Sequence, residues 1–336
     1  MTKLLLTLAI LLTGIPLALL IGFYAWASSA AYPKSRYAEI VSYGGSSASS
    51  LRPAVDTFTV VTYNIGYLSG LTNNLAVPRT SELFADNLKT AIAALRPLDA
   101  DIIALQEIDL GSHRSYNVQQ ASELASQLGL GNGAIAINWD KRYVPFPYWP
   151  PAAHFRGILS GQAILSHHPI RTHERIVLEK VAGKPFFYNG LYLDRLAQVA
   201  ELEMQGRSLI VINVHLEAFD EPTRRRQTQA VKALVEQYVP QYPVLLLGDF
   251  NSMPPTAKQF DPTIRILLDM PEIQPAFPEE GLAERAIATF PANDPIAKLD
   301  YIFYTPATIE ALEWQVVADA QQASDHLPIM MRFRWR

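Results

Sequence analysis

The 336-residue chain contains no cysteine, which excludes disulfides, thiolate metal ligands and cysteine nucleophiles. A Cys-free chain folds on either side of a membrane, so the compartment stays open. Positive charge is also scarce. Against 28 Lys and Arg stand 32 Asp and Glu, a formal net of −4, and the chain as a whole exerts no pull on nucleic acid, although a local basic groove is compatible with that sum. The one compact basic run, Arg224-Arg225-Arg226, falls in an amphipathic stretch and reads as a solvated face before it reads as a phosphate track. No internal repeat is present.

Charge is missing altogether from Leu4 to Ala27. These about 24 positions match the ~20 needed to cross a bilayer and exceed the ~7–15 of a signal-peptide core. Residues 1–30 therefore read as a transmembrane anchor, with a signal peptide cleaved at Ala25-Trp26-Ala27 or Ser28-Ser29-Ala30 as the alternative. Tyr24 and Trp26 sit where an interfacial aromatic belt would lie. Lys3 opposes Lys34 and Arg36, so the positive-inside count is nearly balanced; signal-like behaviour of the segment places the bulk of the chain outside the cytoplasm, single-pass or secreted. Residues 31–55, with the Gly/Ser-rich stretch Tyr43 to Ser50, read as a flexible linker, and 56–336 as one domain. Removing Lys3, Lys34, Arg36 and Glu39 from the totals leaves residues 51–336 at net −6.

Within the domain, strands are expected over Thr57–Tyr63, Asp101–Leu105, Ala134–Asn138, Gly161–Ser166, Arg175–Val181, Leu191–Met204, Ser208–His215, Val244–Leu247, Leu299–Tyr304 and Ile329–Trp335. Gln205-Gly206 suits a hairpin. Helical spacing predicts Ser81–Leu95, Val118–Leu128 and Glu221–Tyr238. Strands, helices and strands again imply packed sheets with helices outside. Between Tyr143 and Phe155 the prolines forbid regular structure. The aromatics there, among them Tyr148 and Trp149, would enter a bilayer interface, line a pocket or form a rigid cover.

Polar groups recur where these strands surface. Val244-Leu245-Leu246-Leu247 is a buried run, Gly248 frees the backbone to turn, and Asp249 and Asn251 then emerge on one face. Asn64, Glu107, the Asn213/His215 pair, Asp300 and Asp325-His326 occupy comparable positions. Singly, each is an ordinary turn, cap or core residue; together they make an oxygen-rich set with two imidazoles and no thiol, suited to a hard cation and proton transfer.

In order and context, Thr62-Tyr63-Asn64-Ile65, Leu105-Gln106-Glu107, Asn213-Val214-His215-Leu216, Gly248-Asp249-Phe250-Asn251 and Ser324-Asp325-His326-Leu327-Pro328 resemble the endonuclease/exonuclease/phosphatase superfamily, over about residues 57–335. The resemblance implies an α/β fold, a four-layer sandwich of two mixed β-sheets face to face with helices outside. It also implies a Mg²⁺-dependent phosphoesterase, Mn²⁺ being the alternative metal. By the same resemblance Glu107 holds the metal with Asn64, and Asp249 polarises water or shares the metal. Asn251 fixes the phosphate; Asn213 and, from the aromatic loop itself, Tyr148 and Trp149 are further candidate substrate contacts. Asp300 orients His326, His215 donates to a phosphate oxygen or the leaving group, and Asp325 completes the metal or water network; the base is His326 or Asp249. Two departures stand out. No carboxylate near Arg156-Gly157 supports His215, and Gln162 occupies a position where the family usually has Asn.

The anchor favours a membrane-proximal phosphodiester such as a phospholipid headgroup, since tethering raises its local concentration. A nuclease acting on DNA or RNA is the alternative, and a catalytically inactive tethered binding protein the third reading. A monomer is expected.

Overall fold

The computed structural model describes residues 10–44, 56–255, 263–278 and 284–336, with Lys3, Thr7 and Gly281 besides. The apolar N-terminal stretch is helical: a wide π turn over Ile10–Gly14 leads into α1 (Ile15–Ser28). Pro16 stands where the π turn gives way to the α-helix. Next comes β1 (Ala38–Ser42), an edge strand within the stretch expected to be a linker. The remainder of that stretch beyond Gly44 lies outside the described residues.

Two units of strand and helix build the first sheet. β2 (Phe58–Asn64) is buried on both faces, as a run of branched and aromatic residues requires. α2 (Ser81–Leu95) starts where the Thr80 side chain accepts from the Leu83 N–H, satisfying one orphan donor of the first turn. β3 (Ile102–Asp109) and α3 (Gln120–Leu128) follow, the helix ending on left-handed Gly129. β4 (Asn132–Val144) and β5 (Arg156–Ser166) are longer than the sequence suggested, β4 running into the start of the proline-rich segment and β5 beginning just beyond its end.

The second sheet grows from β6 (Ile170–Val177), a short helix α4 (Phe186–Leu191), β7 (Leu196–Met204) and β8 (Arg207–His215). α4 has no counterpart among the expected elements, and the strand expected from Leu191 begins at Leu196. α5 (Glu221–Tyr238) is capped by Asp220, which accepts from Thr223 N. β9 (Val244–Asp249), a turn of helix α6 (Arg265–Leu268), β10 (Gln274–Pro275) and β11 (Asp300–Tyr304) complete that sheet. β12 (Ile309–Val316) and β13 (Ile329–Trp335) return to the first.

The strand orders are β1-β4-β5-β3-β2-β13-β12 and β10-β11-β9-β8-β7-β6. Each sheet is mixed: β2 runs parallel to β3 and β8 parallel to β9, among antiparallel neighbours. Phe58, Val60 and Ile102 of the first sheet meet Leu209, Ile212 and Leu246 of the second in one core, which continues to Val231 and Val235 of α5. Val61, Tyr63 and Leu105 pack instead with Leu95 and Leu124 of α2 and α3. The result is the expected four-layer α/β sandwich.

Between the sheets lies a layer of buried amides. Gln106 Nε2 donates to Asn213 Oδ1 at 2.6 Å, and Asn213 Nδ2 donates to Leu105 O and to Gln198 Oε1, each at 3.1 Å. Gln162 Nε2 donates to Asn213 O at 3.1 Å, and Gln198 Nε2 to Ala134 O at 2.9 Å.

Because both parallel pairs end at the same edge, β2, β3, β8 and β9 deliver their last residues together, and β11 begins there with Asp300 opposite Asp249. Gly248 makes the final step possible. It sits at φ +133°, and a Cβ would lie 2.0 Å from the Val214 carbonyl oxygen. Gly248→Ala is expected to destabilise the chain by about 3 kcal/mol or more, read as a fall in the urea midpoint; an unchanged midpoint would refute the contact.

The basic run on α5 is fully engaged. Arg224 is buried and donates to Glu217 O and Ala218 O, Arg225 pairs with Glu221, and Arg226 pairs with Glu179.

Candidate active site

One half of the site is carboxylate and amide. β3 slips register between Leu105 and Ile108, and Glu107, inside that slip, has a left-handed backbone at φ 51°. A bulge of this kind turns a side chain out of its sheet, and strain in a non-glycine residue persists only where the surroundings enforce it. Here the enforcement is visible. Asn73 Nδ2 donates to Glu107 Oε2 at 2.9 Å and lies 3.3 Å from each Asp325 oxygen, while Asn64 Nδ2 reaches Glu107 Oε1 at 3.4 Å and Asp249 Oδ2 at 2.9 Å. Arg79 holds the Asn73 turn by donating to the carbonyls of Asn73 and Leu75. Ser324 Oγ ties the Asp325 loop to Asn64 O at 2.8 Å.

Burial first, and then Asp325, raises the Glu107 carboxyl above its ordinary range. Asp249 is pushed up to about 7, by burial and then by Asp300, against the pull of His326 and of its hydrogen bonds. Carboxylates crowded in this way, with oxygen and amide donors and no sulfur, fit a hard divalent cation. Glu107→Gln is expected to weaken Mn²⁺ binding by about 10-fold or more, measured by calorimetric titration; unchanged affinity would remove Glu107 from the metal set.

The other half is imidazole. His326 Nδ1 donates to Asp300 Oδ2 at 2.9 Å, and Thr289 Oγ1 donates to the same oxygen at 2.6 Å. That bond fixes the ring and turns Nε2 toward Asp249 Oδ2, 3.8 Å away. Burial opposes the charged ring, yet Asp300 and Asp249 outweigh it and hold His326 well above the usual imidazole range. Donor atoms of Asp249, Asp300 and His326 all lie within 4.8 Å of one another, and all three residues are buried. Asp249 is thus shared by both halves.

His215 behaves in the opposite sense. Arg195 Nη1 lies 2.5 Å from its Nε2. Guanidinium only donates, so Nε2 accepts and the proton resides on Nδ1. Burial and then Arg195 push His215 well below its ordinary value. It is neutral, with Nε2 3.6 Å from Asp249 and 3.7 Å from Glu107.

The sequence matches the profile of the endonuclease/exonuclease/phosphatase family over residues 61–326. The chain belongs to that family. With the buried Asp249, Asp300 and His326 cluster, it is a metal-dependent phosphoester hydrolase. It is 27% identical over 239 residues to the uncharacterized protein YbhP of Escherichia coli, covering 70% of this chain and 84% of that protein. In fold it resembles the endonuclease/exonuclease/phosphatase of Beutenbergia cavernae, with TM-score 0.61 and 19% identity over 84% of this chain and 72% of the other. It also resembles D. rerio TDP2 complexed with single strand DNA product, with TM-score 0.59 and 15% identity over 83% of this chain and all (100%) of the other.

Against this family frame, most expected positions converge: Asn64, Glu107, His215, Asp249, Asp300, Asp325 and His326 share one edge of the sandwich. Asn251 borders it, with its N–H donating to Asp249 Oδ1 at 2.8 Å and Nδ2 donating to Leu216 O at 3.0 Å, so one amide hydrogen has no partner among the described residues. Asn213 does not belong. Two residues deeper on β8, it is fully buried in the inter-sheet amide layer, where its carbonyl and amide are already satisfied. Gln162 is in the same layer, which accounts for one departure from the family pattern. The other departure resolves as Arg195 standing against His215 where a carboxylate was sought. The expected donation from His215 to a phosphate oxygen or the leaving group meets, in the structure, an Nε2 that faces the Arg195 guanidinium. Tyr148 and Trp149 are exposed on the rim, 71% and 76% accessible, and no contact joins them to the metal or imidazole groups. Asn73, Arg195 and Thr289 went unnoticed in the sequence because none sits at the end of a patterned strand.

Proposed function

We propose that the chain hydrolyses phosphodiesters, with Mg²⁺, or Mn²⁺ in its place, held by Glu107, Asn64, Asp249 and Asp325. The reading rests on one observation: Asp249 stands between the amide-clamped Glu107 and the Asp300-oriented His326. A bound cation supplies positive charge to the phosphate oxygens. His326, kept protonated by Asp300 and Asp249, presents Nε2–H to the developing negative charge. Asp249 accepts the proton of the attacking water. Asn251 orients the phosphate through its second amide hydrogen. Arg195 keeps His215 neutral and adds a buried positive charge beside the phosphate.

For the substrate, a nucleic-acid or nucleotide phosphodiester now stands first, reversing the order drawn from the sequence. A similar fold has been captured with a single-stranded DNA product. A phospholipid headgroup stands second, favoured by the attachment of α1 beside the site. The deciding experiment is a Mg²⁺-dependent hydrolysis panel on the full chain, comparing single-stranded and duplex DNA, RNA, inositol phosphates and phospholipid vesicles. Cleavage of one class identifies it, and absence of hydrolysis across all classes would overturn the reading. The chain is retained as a membrane-anchored protein with its domain outside the cytoplasm; protection from protease added to intact cells would sink that placement.

A further inference from the structure

The 18 residues Leu11–Ser28 form a helix of mean hydropathy 1.7, of which 6% is buried. At ~1.5 Å per residue it is about 27 Å long, close to the thickness of a bilayer core. Its far end is not a loose tether. Ala27 is buried, Lys141 Nζ donates to Ser28 O at 3.1 Å and Arg142 N donates to Ser29 O at 3.1 Å. The backbone N–H groups of Ala31 and Tyr32 both donate to the Asp140 carboxylate, at 2.8 and 2.9 Å. Both small-residue sites that a signal peptidase would need lie within this joint.

From the same joint, aromatic contacts run in two directions. Phe23 and Trp26 meet Tyr143, whose hydroxyl is 2.8 Å from His154 Nδ1; His154 Nε2 in turn is 3.1 Å from Tyr148 O. Tyr24 packs edge-on against Phe186, donates to Phe186 O at 3.1 Å and lies where a Cβ on Gly190 would fall. The rings at the two tips point outward: Tyr148 and Trp149 on one side, and Phe186 and Phe187, 77% and 55% exposed, on the other. Lys34, Arg142 and Lys184 belong to the same segments.

We propose that these two aromatic tips, together with the end of α1, form a three-point seat on a lipid bilayer with anionic headgroups. Exposed large aromatics beside an apolar helix that leaves the domain at that place match an interfacial belt, and basic groups around them match anionic lipid. The seat also orients the enzyme. α4 carries Phe186 at one end, and Tyr192 just beyond it stacks on Tyr188; Arg195, three residues further, is the guanidinium against His215. The active-site edge is therefore held near the headgroup plane, whichever phosphodiester is cleaved, so the seat and the substrate reading stand or fall separately.

The absence of native cysteine permits a direct test. Trp149→Cys, Phe187→Cys and, as a control on the opposite sheet edge, Glu313→Cys are each spin-labelled in the full chain reconstituted into phosphatidylcholine/phosphatidylglycerol vesicles. Collision with oxygen and with a water-soluble nickel chelate is then compared by power saturation. The oxygen-to-nickel ratio at 149 and 187 is expected to exceed the control several-fold. If either position matches Glu313, the seat is overturned.

Discussion

Alanine at position 326 is expected to lower turnover by about 10²–10⁴-fold while the chain keeps its fold. The loss follows from geometry: Nε2 of His326 is the one imidazole nitrogen at the site that carries a proton toward the phosphate, because His215 accepts at its own Nε2. Stability should fall modestly. Asp300 retains the Thr289 hydroxyl on Oδ2 but loses the ring, and a buried carboxylate deprived of a partner costs about 1–3 kcal/mol. Turnover with saturating Mg²⁺ and a thermal melt measure the two effects. Hydrolysis near the wild-type rate would show that His326 has no catalytic part.

Asp249→Asn is expected to lower turnover by about 10³-fold or more, and to stabilise the metal-free chain at neutral pH. The two outcomes have one cause. Burial and the neighbouring Asp300 resist ionisation of Asp249, whose carboxyl is raised to about 7, against about 3.9 in an unfolded chain. A carboxyl raised on folding contributes stability in full below the unfolded value, and that contribution is lost as pH rises through the folded one. The metal-free wild type should therefore melt lower at pH 8 than at pH 5, and this part of the slope should vanish in the Asn variant. Cation affinity should run the other way, rising with pH through the same window because binding displaces the proton. Melts in chelator at both pH values, for both proteins, decide the matter. A variant with the wild-type pH slope would move the strain to another group.

Much of this arrangement is legible in the sequence because a buried strand has to surface somewhere. The runs before Asn64, Glu107, His215 and Asp249 are apolar enough to be placed, and their ends are then given by the first polar residue. The same logic misassigned Asn213. A period of two puts it on the face of His215, but says nothing of depth, and two residues back along β8 is already the interior. β1 and β12 escaped notice for a different reason. As edge strands they are half exposed, and Ala38-Glu39-Ile40-Val41-Ser42 or Ile309 to Val316 with its two glutamates carries a pattern too mixed to separate from a loop. α4 is not expected from the sequence at all; it lies against Tyr24 of α1, a contact distant in sequence that no local signal announces. Asn73 and Arg195 depend wholly on contacts distant in sequence. Asn73 sits in a turn pinned by Arg79, and Arg195 precedes its strand, so neither shows the spacing that marks a catalytic residue.

The amide layer bears on how much play the enzyme can tolerate. Asn64 and Glu107 ride on one sheet, and His215, Asp249 and Asp300 on the other, so the active site straddles a joint. Two aliphatic faces would slide across each other at little cost, because hydrophobic contact has no direction. Hydrogen bonds have one. A shift of a single residue, ~3.3 Å along a strand, would break the bonds from Gln106, Gln162 and Gln198 at once. These amides turn a lubricated joint into a keyed one, and a catalytic geometry that fails at ~1 Å of misplacement inherits its alignment from side chains that never touch the substrate.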